Sequence, residues 1–276
     1  MASKSEEKRQ VRDRLRISPA LVHEIVRSEG EHELRRGFTA LWWSGLAAGL
    51  SMGLSPLASG ILAAALPAEP WADIIVAFGY SAGFAIVVLG RQQLFTENTI
   101  TALLPVINHR TGEYLARMLR LWGIVLSANL VGAALVAALF ALTPLLPESH
   151  ADAVEHISLA YVERSSLATF LAAIVAGWLI AALVWTMPSV PQSRLALVVF
   201  FTWLVGIGHF AHVIAGAVSA FFLLLSGGAS ALQALVNFLV PALLGNVIGG
   251  SVLFALISYA QVREEVDPDD EVETPA

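Results

Sequence analysis

Long runs of apolar residues with almost no charge constrain this chain more than any other feature. They fall near 38–65, 74–107, 119–146, 166–186, 195–225 and 234–260. A helix needs about 20 apolar residues to cross a bilayer, so the pattern predicts six crossings. Only 14 charged side chains occur between Arg36 and Arg263, and they sit in clusters separated by long uncharged runs. That distribution excludes a disordered chain and a nucleic-acid binder. The absence of cysteine excludes a disulfide scaffold. The predicted fold class is an all-α polytopic membrane protein.

The chain divides into three segments: a cytoplasmic tail over 1–37, a six-span domain over 38–260, and an acidic, disordered cytoplasmic tail over 261–276. The first holds no apolar signal region. Within it, Ser18-Pro19 followed by Leu21, Val22, Ile25 and Val26 predicts a capped amphipathic helix lying on the membrane surface. The net charge of −6 resides in the last 14 residues, which carry one Arg and seven acidic side chains. Lys and Arg fix the orientation: 14 of the 16 fall in the two tails and the connections on their side. The other side holds Arg164 alone, and Arg91 lies mid-segment. The positive-inside rule then places both termini in the cytoplasm of a cell with a plasma or inner membrane.

Two of the six runs are too long for one helix and are interrupted by polar residues. Gly90-Arg91-Gln92-Gln93 and Glu97-Asn98 break the second, while Gly206, Gly208, His209 and His212 break the fifth. Asn129-Leu130-Val131-Gly132 in the third run and Asn246-Val247-Ile248-Gly249 in the sixth match at an offset of 117 residues. Three crossings per half predict two inverted repeats, each with a broken middle helix, meeting near the membrane midplane. Irregular backbone at that depth must be buried in protein or face a wet cavity. Helix N-termini facing such a cavity favour an anion.

The run from Gly90 to Thr99, with Leu94-Phe95-Thr96 at its centre, resembles the loop of the formate/nitrite transporter family. Gly206-Ile207-Gly208-His209 resembles that family's second break, and Asn237-x-x-x-Pro241 with Gly245-Asn246-x-x-Gly249-Gly250 resembles its sixth-span signature. The resemblance covers roughly 38–260. It implies an aquaporin-like six-helix protomer in a homopentamer, passing formate, nitrite or similar monovalent weak-acid anions, with membrane lipid as its other partner. It also implies that Thr96 and Asn246 hydrogen-bond around a pore histidine, His209, and that Phe95 forms a hydrophobic constriction. The family's frequent Lys, Asn and Glu are replaced by Tyr161, Gly177 and Gly208, which marks a divergent subfamily.

Each candidate has a structural reading beside the functional one. Thr96 would cap a half-helix as readily as it would line a path. Asn246 would fix the second break or touch substrate. Arg91 and Glu97 would pair across the loop, or Arg91 would attract anions at a pore mouth. His209 and His212 are spaced for one helix face, but no third metal ligand accompanies them. No nucleophile or acidic metal set points to an enzyme, and no cofactor is expected. An aquaporin-like pore for small neutral solutes is the alternative function.

Overall fold

The computed structural model describes residues 17–266, and these are helical with short connections. The N-terminal tail before residue 17 and the acidic end after 266 lie outside the described residues. Helix α1 spans Pro19–Arg35, and Ser18 Oγ caps it by accepting from Leu21 N–H at 3.2 Å. Helices α2 (Phe38–Ala65) and α3 (Ala72–Leu89) come next. After an irregular stretch over 90–97 come α4 (Asn98–Thr101) and α5 (Leu103–His109). The remaining elements are α6 (Gly112–Leu142), α7 (Glu148–Val162), α8 (Ser166–Thr186), α9 (Arg194–Ile207), α10 (Val213–Ser226) and α11 (Ala231–Val266).

Among the described residues five helices are long and apolar enough to cross a membrane: α2, α3, α6, the segment Ser166–Ser189 containing α8, and α11. The fifth apolar run is divided between α9 and α10, each 14 residues long. Neither alone reaches the ~17 residues of a short crossing. Large apolar side chains cover the outer surface, with Leu142, Leu167 and Leu232 more than three-fifths exposed. Such a surface suits lipid or a neighbouring protein, not water. The helix of α11 continues through Val266, so the six residues from 261 extend the last helix and are not an irregular tail.

Small residues let the crossings touch backbone to backbone, as membrane helices require. A Cβ on Gly49 of α2 would lie 2.2 Å from the Asn129 carbonyl of α6. Correspondingly, a Cβ on Gly177 of α8 would lie 2.4 Å from the Asn246 carbonyl of α11. Both asparagines are thus held against a glycine on the adjacent crossing.

The apolar stripe of α1 is spent on protein. Val22 and Val26 pack with Ile100, Leu104, Val184 and Ala255, and Gly30 sits where a Cβ would fall 1.9 Å from the Thr101 carbonyl. The polar face is tied as well: Glu31 accepts from His109 Nε2 at 2.8 Å and also meets Arg27. The His109 hydrogen bond, with the Arg27 and Arg35 charges adding, holds the Glu31 carboxyl below the usual glutamate range. A carboxyl depressed on folding stabilises the docked helix above its unfolded value and loses that contribution as pH falls through the folded one. Hydrogen exchange of α1 amides should therefore accelerate as pH drops below the glutamate range. In Glu31→Gln the acid-induced step should shrink; an unchanged step there would assign the effect to another group.

Candidate functional site: two breaks and a buried histidine

The two irregular stretches are built alike. Helix α3 ends at Leu89 with Gly90 as cap, and α9 ends at Ile207 with Gly208 as cap; the caps share φ near −78°. The next residue in each case takes the left-handed conformation, Arg91 at φ 51° and His209 at φ 50°. This conformation is uncommon outside glycine. The hydrogen bonds also correspond. Gln92 N–H reaches back to the Val87 carbonyl at 2.9 Å, and Phe210 N–H to the Val205 carbonyl at 3.0 Å. Both turns carry a basic side chain close to a helix C-terminus, where the helix dipole favours it.

Beyond each turn a buried amide pins the chain. Asn129 Oδ1 accepts from Phe95 N–H at 2.9 Å, while its Nδ2 donates to the Gly45 and Gln93 carbonyls at 2.7 and 2.8 Å. Asn246 Oδ1 accepts from Val213 N–H at 2.8 Å, while its Nδ2 donates to the Ala173 and Ala211 carbonyls, both at 2.8 Å. Each amide thereby satisfies two backbone groups that the interruption leaves open and ties them to a carbonyl of the adjacent crossing, Gly45 of α2 or Ala173 of α8. The hydrogen bonds of Asn246 go to Val213, Ala173 and Ala211, so they fix the second break.

The histidine beside Thr96 is His212, not His209. Thr96 Oγ1 lies 2.6 Å from His212 Nε2, and both residues are essentially inaccessible. His209 is three residues earlier in an exposed turn, where its carbonyl accepts from Arg164 at 2.8 Å. The reason is the cap: the left-handed turn uses up His209, and the chain re-enters the protein only at Ala211. His212 is also the N-cap of α10, its Nδ1 accepting from Ala215 N–H at 3.2 Å. A ring that accepts at Nδ1 must carry its proton on Nε2, so these partners assign the neutral Nε2–H tautomer. Nε2–H then donates to Thr96 Oγ1, which leaves the Thr96 hydroxyl proton free to donate elsewhere.

An aromatic ring packs on this pair, and a second aromatic contact is made by the residue before Thr96. Phe84 meets the His212 ring edge-on at 4.9 Å, and Phe95 meets Trp122 edge-on at 5.7 Å. Phe84, Phe95 and Leu94 are at most 2% exposed, and Leu94 and Phe95 immediately precede Thr96 in the chain.

Arg91 and Glu97 do not pair. The Arg91 guanidinium meets Glu29 of α1 at 3.2 Å, because the left-handed turn directs it outward to the docked helix. Glu97 has one carboxyl oxygen buried without a hydrogen-bond partner among the described residues. Both line a cavity of about 200 Å³ at the α1 end, with Glu33, Gln93, Asn98 and Arg194. A second cavity of about 260 Å³ opens beside the first turns of α3, lined by Asp73, Tyr80, His156, Tyr161, Arg164 and His209. Because α3 contributes Asp73 and Tyr80 to one cavity and Val88 and Leu89 to the other, the two lie at opposite ends of that helix. Phe84, midway along it, packs against His212.

The profile of the formate/nitrite transporter family matches residues 20–260. The chain belongs to the formate/nitrite transporter family. Among its relatives, "Inner membrane protein YfdC" of Escherichia coli (strain K12) is 39% identical over 254 residues, covering 92% of this chain and 82% of the relative. "Uncharacterized transporter YrhG" of Bacillus subtilis (strain 168) is 28% identical over 202 residues, covering 70% and 74%. The fold is that of solved family structures. An FNT family ion channel superposes with a TM-score of 0.77 at 18% identity, covering 87% of this chain and 98% of the other. A pentameric formate channel with formate bound gives 0.70 at 18% identity, covering 82% and 97%. This formate/nitrite transporter family member is therefore a multi-pass transmembrane transport protein.

Sequence reasoning missed His212 as the partner of Thr96, and a signal was present. The asparagines repeat at 117 residues, whereas Thr96 to His209 is 113. The shortfall of four residues is about one helical turn. The residues that the two asparagines hold, Gln93 with Ala211 and Phe95 with Val213, repeat at 118, which puts Arg91 opposite His209. Asn129, Phe84 and Tyr80 were also not singled out as site residues.

Proposed function

We propose that this protein is a channel for small monovalent anions such as formate or nitrite, which cross as their weak acids after taking a proton at Thr96–His212. The observation that carries this reading is the buried Thr96–His212 hydrogen bond between two cavities at opposite ends of α3. A bare anion crossing the buried, largely apolar region between the two cavities would lose its hydration without compensation, which is expensive. A proton delivered at this point removes the charge. As the Thr96 hydroxyl gives its proton to the anion, His212 Nε2–H passes its own to Thr96 Oγ1, and a proton from water returns to the resulting imidazolate at Nε2 through the same hydroxyl.

In this reading α9 and α10 form one interrupted crossing, and α3 with α4 and α5 forms the other, giving six crossings in two inverted repeats. The matching left-handed caps and three-bond asparagine clamps support it. Both termini are cytoplasmic, on the count of Lys and Arg, so the cavity beside α1 faces the cytoplasm. There Arg91 stands at the mouth, tied to Glu29. Five copies assemble around an axis, each with its own pore.

Proteoliposome uptake tests the reading. Inward flux of formate should rise as external pH falls from about 7.5 to about 5.5, since more of the anion meets an available proton. Chloride, a strong-acid anion, should pass slowly and without that rise. Equal chloride flux with the same pH dependence would remove proton delivery from the mechanism. Rapid glycerol uptake with no formate flux would establish the neutral-solute pore instead.

A further inference from the structure

One carboxyl with a buried oxygen has no part in the step at Thr96–His212. Glu97 precedes α4, yet its side chain makes no cap hydrogen bond to that helix. Its Oε1 is buried without a hydrogen-bond partner among the described residues. The nearby amides are spent elsewhere: Asn98 Nδ2 donates to Gln93 Oε1 at 3.0 Å, and Gln93 Nε2 donates to Glu33 Oε2 at 2.8 Å. No cation lies within ion-pair distance of Glu97 among the described residues. The charged groups around it come from three elements. Glu29 and Glu33 of α1 and Arg91 of the turn after α3 lie within electrostatic range. Arg91 is held by Glu29 at 3.2 Å and Glu33 by Arg36 at 2.9 Å, while Arg194 is exposed in the first turn of α9.

A lone carboxylate charge is costly to bury, whereas a carboxylic acid in the same place carries no charge and can donate its proton. Glu97 and Gln92, whose Oε1 is also buried without a partner among the described residues, both line the cavity of about 200 Å³ beside α1. That volume far exceeds the roughly 10–15 Å³ that one water occupies, so water and a small anion fit there together. Arg91 and Arg194 in the same lining favour the anion. The preceding residue, Thr96, turns instead to His212 at 2.6 Å. One step along the chain thus separates the hydroxyl at the centre of the passage from a carboxyl in the cavity on the α1 side.

From this we infer that Glu97 is a second proton-exchange group of the passage, serving the cavity on the α1 side. In inward passage the weak acid formed at Thr96–His212 gives its proton to the Glu97 carboxylate. The O–H bond of the acid breaks, a Glu97 O–H bond forms, and the anion leaves through the cavity. Glu97 then passes the proton to water there as hydronium. Outward passage runs the same steps in reverse, with Glu97 as the donor to the entering anion. The inference rests on the anion-channel reading and deepens it, since the charge is removed at one end of the buried stretch and restored at the other.

The test uses the full chain in proteoliposomes sorted for one orientation, with formate and chloride as cargo and the pH set separately on each side. Glu97→Gln keeps the shape of the side chain and removes the exchangeable proton. It should slow formate about tenfold to a hundredfold, the lower range for loss of a positioned acid. It should also abolish the dependence of flux on pH at the α1 side while keeping the dependence on pH at the other. Glu97→Asp retains a carboxyl and should retain both dependences. Both variants should melt as wild type does, because the buried carboxyl oxygen gives up no hydrogen bond. Faster chloride or formate in Glu97→Gln would assign a repelling charge to this position and overturn the inference. An unchanged dependence on α1-side pH in Glu97→Gln, or its loss in folded Glu97→Asp, would overturn it as well. Those results leave wild-type formate flux as evidence for the channel. No formate flux in wild type would sink the channel reading and the inference with it.

Discussion

His212→Asn should fold, assemble and lose weak-acid flux by about a hundredfold or more, the range expected for removal of a positioned proton donor. The choice of Asn matters. Its carbonyl oxygen can still accept from Ala215 N–H as an N-cap, and its amide can still donate to Thr96. It lacks only a proton to release. His212→Phe also blocks flux but strips the cap from α10, so an inactive Phe variant alone would not separate chemistry from folding. Thermal unfolding in detergent should show His212→Asn within about 1 kcal/mol of wild type, with His212→Phe lower. The same substitution at His209 should have little effect on flux, because that side chain is in the exposed turn. If His212→Asn conducted formate with the wild-type pH dependence, proton delivery at this residue would be dropped.

Asn246→Leu is expected to produce one of the two largest losses of stability among the buried polar replacements described. Two backbone groups in the break lose their partner together, Val213 N–H and the Ala211 carbonyl, and the tie to the Ala173 carbonyl of α8 is lost as well. Each orphaned group costs about 1–3 kcal/mol when buried, although polar pairs in membranes often measure less, nearer ~0.6 kcal/mol. The sum is on the order of 3 kcal/mol, and it falls on the segment that places His212. Asn246→Asp tests the geometry, since a carboxylate can accept from Val213 N–H but cannot donate to either carbonyl. Both variants should therefore unfold earlier, and both should lose flux. Asn129→Leu should behave likewise through Phe95, Gly45 and Gln93. A melting temperature equal to wild type for Asn246→Leu would mean that the break is held by packing alone.

The sequence makes the apolar runs and the position of both interruptions legible, because lack of charge over ~20 residues has few physical explanations. The two asparagines are equally visible, since an amide in mid-span needs partners. The register of the second break is another matter. His209 and His212 differ by less than one helical turn, and only the left-handed turn at His209 decides which ring enters the protein. Residues near glycine caps leave little trace of such a turn in their own identity. Arg91 and Glu97 illustrate a different limit. Their separation of six residues suggests a local pair, whereas the partner of Arg91, Glu29, arrives from 62 residues away. The apolar face of α1 reads the same for lipid or protein, and only the fit of Gly30 against Thr101 shows which it meets.

A membrane that stores energy as a proton gradient is damaged by any path that lets protons through unaccompanied. The hydrogen bond from Ala215 to His212 bears on this hazard. A histidine passes protons along a wire by taking one at one nitrogen and releasing it from the other. Here Nδ1 is occupied by the amide that opens α10, and the ring cannot turn over without uncapping that helix. Under the proposed proton step, a proton released from Nε2 is replaced at Nε2, on the same side of the ring and through the same Thr96 hydroxyl. It would then travel onward only as part of an acid molecule. A single cap at the start of a helix would thus permit proton-assisted passage without short-circuiting the cell's energy supply.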